Sequence, residues 1–307
     1  MRAVFLDANP SLAAVARRLH RSDDIALAIN LEPDLAPADI PARLDGAEIA
    51  IIDHTYLPTE IAATCAGLAH VVFLGTGARS YMNPQELADH SIAVHTIKGY
   101  GDTAVAESAF ALMWAAAKNL AEMDREMRAG HWLRSDGLQL TGKRLGLVGF
   151  GGIAMELGRL ASGCGMRVAA WNRTPKQASG VEFVALEKLL ADSDIVSLHL
   201  LLSDETRGFL SRERLALMRP GAILINTARG ALVDEEAMIG ALMDGRLAHA
   251  GLDVFVTEPM PADHPLTRLS NVTLSAHSAF RTAEANDNLI EAALGHCRRI
   301  AAESIPP

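Results

Sequence analysis

The segment Leu145-Gly-Leu-Val-Gly-Phe-Gly-Gly-Ile-Ala154 constrains this chain more than any other part of it. A short apolar run suited to a buried strand leads directly into Gly149-Phe-Gly151-Gly152-Ile153-Ala154, and a helical pattern continues from Ile153 to Gly163. A Gly-x-Gly-x-x-Ala string between strand and helix is the first turn of a βαβ unit. The first glycine permits the tight turn, and the second lets backbone amides approach a ligand. The small residue at 154 keeps helix and strand close. The amides of Gly152 and Ile153 open the helix with the positive end of its dipole behind them, which suits a pyrophosphate. Taken alone, a glycine-rich string is an ordinary turn. Its setting makes it a dinucleotide loop.

The rest of the chain has the alternation that such a unit requires. Strand candidates after Arg144 are Leu145 to Val148, Val168 to Trp171, Ile195 to Leu198, Ala222 to Asn226, Ala250 to Val254 and Val272 to Ser275. The helical patterns between them are Ile153 to Gly163, Leu186 to Leu190, Arg212 to Met218 and Glu235 to Met243, with Pro220-Gly221 and Gly245 as punctuation. Before the loop, Ala3 to Leu6, Ile49 to Asp53 and Val71 to Leu74 read as buried strands, Leu12 to Leu19 and Glu60 to Ala66 as helices, and Glu32 to Pro41 as a loop. One helix is expected from Thr103 to Arg128. It is apolar on several faces, so core burial and an oligomer contact both remain open for it. A last helix spans Ala283 to Ala302. Short strands alternating with helices predict an α/β fold with parallel sheets.

The second strand of the unit ends at Trp171-Asn172-Arg173-Thr174, where the dinucleotide fingerprint places its ribose-binding acid. Here the acid is absent. Asn172 is neutral, and the planar fork of Arg173 suits a 2'-phosphate, which favours NADP over NAD. Three later strand ends each deliver a reactive group. Ile225-Asn-Thr-Ala-Arg229-Gly230 brings an arginine, Gly251-Leu-Asp253-Val-Phe-Val-Thr-Glu258-Pro259 two carboxylates, and Ser275-Ala-His277 an imidazole. The arginine suits a substrate carboxylate and an adjacent carbonyl. The histidine suits proton transfer as hydride moves, and the glutamate favours its protonated form. Singly, each has an ordinary reading as a surface turn residue or a strand-end histidine. Their joint appearance at successive strand ends is what carries the chemistry.

These residues resemble the D-isomer-specific 2-hydroxyacid dehydrogenases of the formate/glycerate dehydrogenase type, most closely from Thr96 to Ala279. The matching motifs are Gly99-Tyr-Gly-Asp-Thr103-Ala-Val-Ala-Glu107, the glycine loop, Val196-Ser-Leu-His199, Asn226-Thr-Ala-Arg-Gly230, Gly251-Leu-Asp-Val254 with Glu258-Pro259, and His277. The resemblance implies that Arg229, Glu258 and His277 are catalytic. It places Asp253 near the nicotinamide amide and makes Thr103, Thr206, Thr227 and Ala228 line the cofactor, beside Gly149, Gly151, Gly152, Ile153, Asn172, Arg173 and Thr174. It assigns the substrate carboxylate to the backbone amides of Gly75-Thr76-Gly77 and to Arg229. The implied architecture is a Rossmann dinucleotide-binding domain, residues 99–279, inserted into a flavodoxin-like substrate domain made of 1–98 and 280–307. The implied activity is NADP-linked reduction of a small 2-keto acid, of glyoxylate or hydroxypyruvate type, by a homodimer joined through the cofactor domain near Trp114. A cofactor-sensing corepressor on the same scaffold is the competing reading. The chain departs from the common pattern at Arg79, where many members have Asp, at Ala276, where many have Pro, and at Leu200-Leu-Leu202, which lacks a frequent proline.

Composition narrows the partners. Among 307 residues, 50% are hydrophobic and 21% charged, a globular balance. A net charge of -9 and 5% aromatic residues argue against a nucleic-acid or anionic-membrane surface and for a small-molecule partner. Cys65, Cys164 and Cys297 lie far apart, which points to reduced thiols, away from a metal site, and to the cytoplasm. The segment Met1 to Asp7 runs straight into a strand pattern, with no apolar leader ahead of it.

Overall fold

The computed structural model describes residues 1–21, 25–32 and 35–303. The chain separates into two compact units, Met1–Gly101 with Thr282–Pro307, and Asp102–Arg281. Both are built on parallel sheets flanked by helices.

In the first unit the strands are β1 (Arg2–Phe5), β2 (Ala26–Ile29), β3 (Ile49–Ile52), β4 (His70–Phe73) and β5 (Ala93–Thr96), in the order β2-β1-β3-β4-β5. That order is the flavodoxin-like one. The helices α1 (Pro10–Leu19), α2 (Ile40–Leu44), α3 (Thr59–Ala62) and α4 (Pro84–Asp89) connect the strands. Asn9 caps α1 by accepting from the Leu12 amide at 2.9 Å, with Pro10 at the first helical position. The C-terminal helix Ala283–Glu303 returns to this unit, burying Leu289, Ile290, Ala293, Leu294 and Cys297 with Phe5, Leu12 and Ile51. Strands β2 and β5 are additions to the sequence reading. Each is a sheet edge and only half-buried, so neither has the continuous apolar run of a central strand. Part of the expected Glu32–Pro41 loop, Pro33 and Asp34, lies outside the described residues. Its end is helical instead: a 3-10 turn at Pro37–Asp39 leads into α2, which buries Ile40 and Leu44 and accommodates Pro41 in its first turn.

The second unit is a seven-stranded sheet among the described residues, with β6 (Arg144–Val148), β7 (Arg167–Trp171), β8 (Val181–Phe183), β9 (Ile195–Leu198), β10 (Ala222–Asn226), β11 (Leu247–Leu252) and β12 (Val272–Leu274). Its order is β12-β11-β10-β9-β6-β7-β8. The chain leaves β6 in one direction for β7 and β8, then crosses to β9 on the other side. This reversal opens a crevice at the carboxyl ends of β6 and β9, the place where doubly wound sheets bind ligands. The flanking helices are α5 (Asp102–Ala117), α6 (Leu120–Arg128), α7 (Gly152–Gly163), α8 (Leu186–Asp192), α9 (Arg212–Leu217) and α10 (Glu235–Met243); the returning C-terminal helix is α11. Strands β6, β9 and β10 are almost wholly buried, as apolar runs covered on both faces require.

The expected single helix over 103–128 is two. Asn119 takes a left-handed backbone, φ 50°, between α5 and α6, and its amide side chain donates to Ser135 Oγ and the Asp136 carbonyl at 2.8 and 3.0 Å. Before the break, α5 packs its alanines, Leu112 and Met113 with residues of β6, β7 and α7 in the core of its own unit. That answers core burial for the apolar face left open above. After the break, α6 has no buried residue.

Two histidines close to these strands carry a pH signature. Burial pushes His199, at the end of β9, down to about 4. Burial, with Arg125 nearby, does the same to His249 in β11. The ring atoms His199 Nε2 and His249 Nδ1 are buried without a hydrogen-bond partner. Between an ordinary imidazole pKa of about 6.5 and 4, the unfolded chain binds protons at these sites and the folded chain does not. Stability contributed by the neutral rings is complete above pH about 6.5 and is lost as pH falls toward 4. Urea unfolding across this range should show a falling midpoint, with a shallower slope in His199→Asn and His249→Asn. An unchanged slope in both variants would remove these histidines as its cause.

Candidate active site

The glycine loop leaves β6 where the residues around it demand a glycine. Gly149 has φ +90°, and a Cβ there would lie 2.6 Å from the His199 carbonyl oxygen. Gly151 and Gly152 are exposed at the start of α7, and a Cβ on Gly151 would meet nothing within 4 Å. The first amides of a helix lack intrahelical acceptors. Open space beside Gly151 suits the pyrophosphate expected there.

Around this loop the structure shows what the expected cofactor residues and their neighbours touch. Asn172 accepts from the Phe150 amide at 3.0 Å and donates to the Thr174 carbonyl at 2.7 Å, so it ties the loop to the end of β7. Lys176 Nζ donates to the Phe150 carbonyl at 2.6 Å and reinforces the tie. Arg173 and Thr174 are exposed beside it. Thr103 is exposed in the first turn of α5, and it is its neighbour Asp102 whose carboxylate lies against Gly152, where it would have to shift to admit a Cβ. Burial pushes the Asp102 carboxyl upward. Asp102 stands within the Gly99–Glu107 motif, but nothing in the local pattern distinguishes it from Thr103. Thr206 organises its own turn, donating to the Leu201 carbonyl at 2.6 Å and accepting from the Ser203 amide at 2.7 Å.

The residues expected to react sit at the ends of the next three strands. At the end of β10, Asn226 accepts from the Ala228 amide and donates to the Arg229 carbonyl, 3.0 and 2.9 Å, which shapes the turn that presents Arg229. Arg229 Nη1 donates to the Ala228 carbonyl at 2.6 Å. Gly230 then packs on the backbone of Phe255 and Val256 so tightly that a Cβ has no room. That contact brings the Arg229 turn against the loop bearing Glu258. Glu258 is held in turn, since its Oε1 accepts from the Phe255 amide at 2.8 Å. Its Oε2 lies 2.6 Å from His277 Nδ1. Thr227 Oγ1 is buried without a partner at the same strand end, a polar atom that fits a bound ligand.

His277 has φ 48°, a left-handed backbone that a non-glycine residue adopts only when its surroundings impose it. The surroundings are Asp253. The His277 amide donates to the Asp253 carbonyl at 2.7 Å. The buried Asp253 carboxylate accepts from Ser275 Oγ at 2.6 Å, the Ser278 amide at 3.0 Å and the Ala279 amide at 2.9 Å. Asp253, expected near the nicotinamide amide, also clamps the histidine loop.

In the first unit, the amide of Gly75 donates to the Phe73 carbonyl at 2.9 Å and its φ is 148°. Thr76 is exposed and Gly77 partly so. Arg79 is also exposed. The neighbouring loop is fixed by the buried Asp7, whose carboxylate accepts from the amides of Asp53, His54 and Thr55 at 2.9, 2.7 and 2.7 Å.

A dinucleotide crevice in a doubly wound sheet, with an arginine and a Glu–His pair at neighbouring strand ends, defines an oxidoreductase that uses a nicotinamide cofactor. The chain belongs to the D-isomer-specific 2-hydroxyacid dehydrogenase family: the family model for the NAD-binding domain matches residues 110–279. It is 40% identical over 236 residues to a glyoxylate reductase of Thermococcus litoralis, covering 73% of this chain and 71% of that protein. It is 39% identical over 207 residues to a hydroxypyruvate reductase of Thermotoga maritima, covering 66% and 67%. The crystal structure of the TT0316 protein from Thermus thermophilus superposes with a TM-score of 0.87 and 33% identity over 100% of this chain and 99% of that one.

Removing the Asp253 carboxylate leaves three donors without their acceptor. Asp253→Ala should lower the unfolding free energy by roughly 3 kcal/mol, the scale of losing hydrogen bonds to a buried charge. Asp253→Asn, which keeps one acceptor oxygen, should lose less. Denaturant midpoints equal to that of the parent in both variants would dismiss the clamp.

Proposed function

We propose that this chain reduces a small 2-keto acid to the D-2-hydroxy acid, or catalyses the reverse, with NADP(H) preferred over NAD(H) and glyoxylate or hydroxypyruvate as favoured substrates. The observation that carries this reading is the 2.6 Å Glu258–His277 contact beside the Arg229 turn. The substrate preference is supported by the names of the two relatives above, and the cofactor preference by Arg173 standing where a ribose-binding acid would select NAD.

The nicotinamide, when bound, supplies hydride to the carbonyl carbon or takes it from the alcohol. The other steps belong to side chains. Arg229 pairs with the substrate carboxylate and directs positive charge at the carbonyl oxygen. With Nδ1 held by Glu258, His277 presents Nε2 and gives its proton to the oxygen as the carbon is reduced. In the oxidative direction the same nitrogen removes that proton. Glu258 fixes the orientation of the imidazole through the contact at Nδ1. Thr227, Ala228 and the α7 amides are proposed to hold the cofactor.

Arg229→Ala and His277→Ala should each lower turnover with any accepted keto acid by about a hundredfold or more, the usual scale for a lost acid–base group, while leaving NADPH binding intact. Near-parental rates would remove that residue from the mechanism. In the same assays Arg173→Ala should weaken NADPH far more than NADH, and equal losses would refute the phosphate contact. A parent enzyme that binds NADPH but reduces none of glyoxylate, hydroxypyruvate and phenylpyruvate would favour the sensor reading.

The homodimer is proposed on the exposed apolar side chains that follow α5. Leu120, Met127, Leu133 and Trp132, the last 74% exposed, are apolar side chains of the cofactor unit that a second copy can cover. Sedimentation equilibrium should show a dimer that Trp132→Asp weakens at least about tenfold, the cost of roughly one lost interface anchor. A monomeric parent at micromolar concentration would rule this out.

A further inference from the structure

The segment between β9 and α9 is fastened to the end of β7. Trp171, the last residue of β7, stacks on Phe209 with ring centroids 5.3 Å apart and planes at 34°. The Arg214 guanidinium covers the Phe209 ring at 4.2 Å, and its Nη1 donates to the Phe209 carbonyl at 2.6 Å. The Thr206 hydroxyl closes the turn before it, as described above. Glu205 therefore projects from a stiffened turn, and its Oε2 accepts from Arg173 Nη1 at 2.7 Å. Because β6 lies between β7 and β9 in the sheet, this ion pair joins the two loops that flank the Gly149–Gly151 turn.

We propose that Glu205 sets the cofactor selectivity by competing with the 2'-phosphate of NADP(H) for Arg173. This rests on the reading of Arg173 as the phosphate partner. A 2'-phosphate arriving at Arg173 displaces a carboxylate that the turn keeps nearby, so two groups of negative charge face one guanidinium. Their repulsion subtracts from the affinity for the phosphorylated cofactor. A ribose 2'-hydroxyl carries no charge and leaves the Arg173–Glu205 pair in place. Glu205 thus holds down the preference that Arg173 creates without changing the affinity for the unphosphorylated cofactor. Both side chains are well exposed, so solvent and salt screen the effect.

The test uses two ligands that differ only in the phosphate, adenosine 2',5'-bisphosphate and 5'-AMP, with dissociation constants measured by calorimetry on the full chain. Glu205→Gln should tighten the bisphosphate about two- to fivefold, the range for an exposed charge pair, and leave 5'-AMP unchanged. Glu205→Asp, which keeps the charge, should stay near the parent, and the gain of the Gln variant should shrink in about 1 M salt, where screening acts within about 3 Å. A Gln variant that shifts both ligands alike, or neither, overturns the proposal. Arg173→Ala reports separately on the reading beneath it: loss of the bisphosphate alone supports that reading, and equal loss of both ligands refutes it together with the proposal.

Discussion

A parallel sheet places all its carboxyl ends on one edge, and the chemistry of the second unit depends on that constraint. Gly149 follows β6, Arg173 follows β7, His199 follows β9, Thr227 and Arg229 follow β10, Asp253 follows β11, and His277 follows β12. Residues scattered over more than a hundred positions of chain become neighbours because each stands within a few residues of a strand end. The topological reversal between β6 and β9 then leaves a crevice at that edge.

Close backbone approach turns neighbours into a site. Gly149 lets the loop pass the His199 carbonyl, and Gly230 lets the Arg229 turn rest on the Phe255 backbone. At the far end the buried Asp253 carboxylate collects Ser275, Ser278 and Ala279 and holds His277 in a left-handed conformation. A buried charge is costly unless it is fully hydrogen-bonded. The same requirement that satisfies Asp253 therefore orders the histidine loop. The first unit repeats the device, with Asp7 collecting the amides of residues 53–55.

Positive and negative groups near the cofactor edge work against one another. Arg173 and the α7 amides are positively polarised, whereas the Asp102 carboxylate lies against Gly152 and that of Glu205 on Arg173. The net charge of the chain, -9, says nothing of this arrangement. It is decided by which loops the sheet order brings together.

The central strands, the glycine loop, Arg229, Glu258 and His277 were legible in the amino-acid sequence, because buried parallel strands and tight turns leave patterns within a few consecutive residues. The half-buried strands β2 and β5 were not, since an edge strand lacks the apolar run that marks its central neighbours. Nor was the break at Asn119, where one left-handed residue interrupts an otherwise continuous helical pattern. By itself, the sequence determined the parallel α/β class, the place of the dinucleotide loop and which candidate side chains stand at the strand ends. Only the tertiary structure decided that Asp253 clamps a loop, that Asp102 and not Thr103 reaches Gly152, and that Glu205 meets Arg173. Those pairings join residues 22 to 50 positions apart in the chain. They follow from strand order and close backbone approach, which no local periodicity encodes.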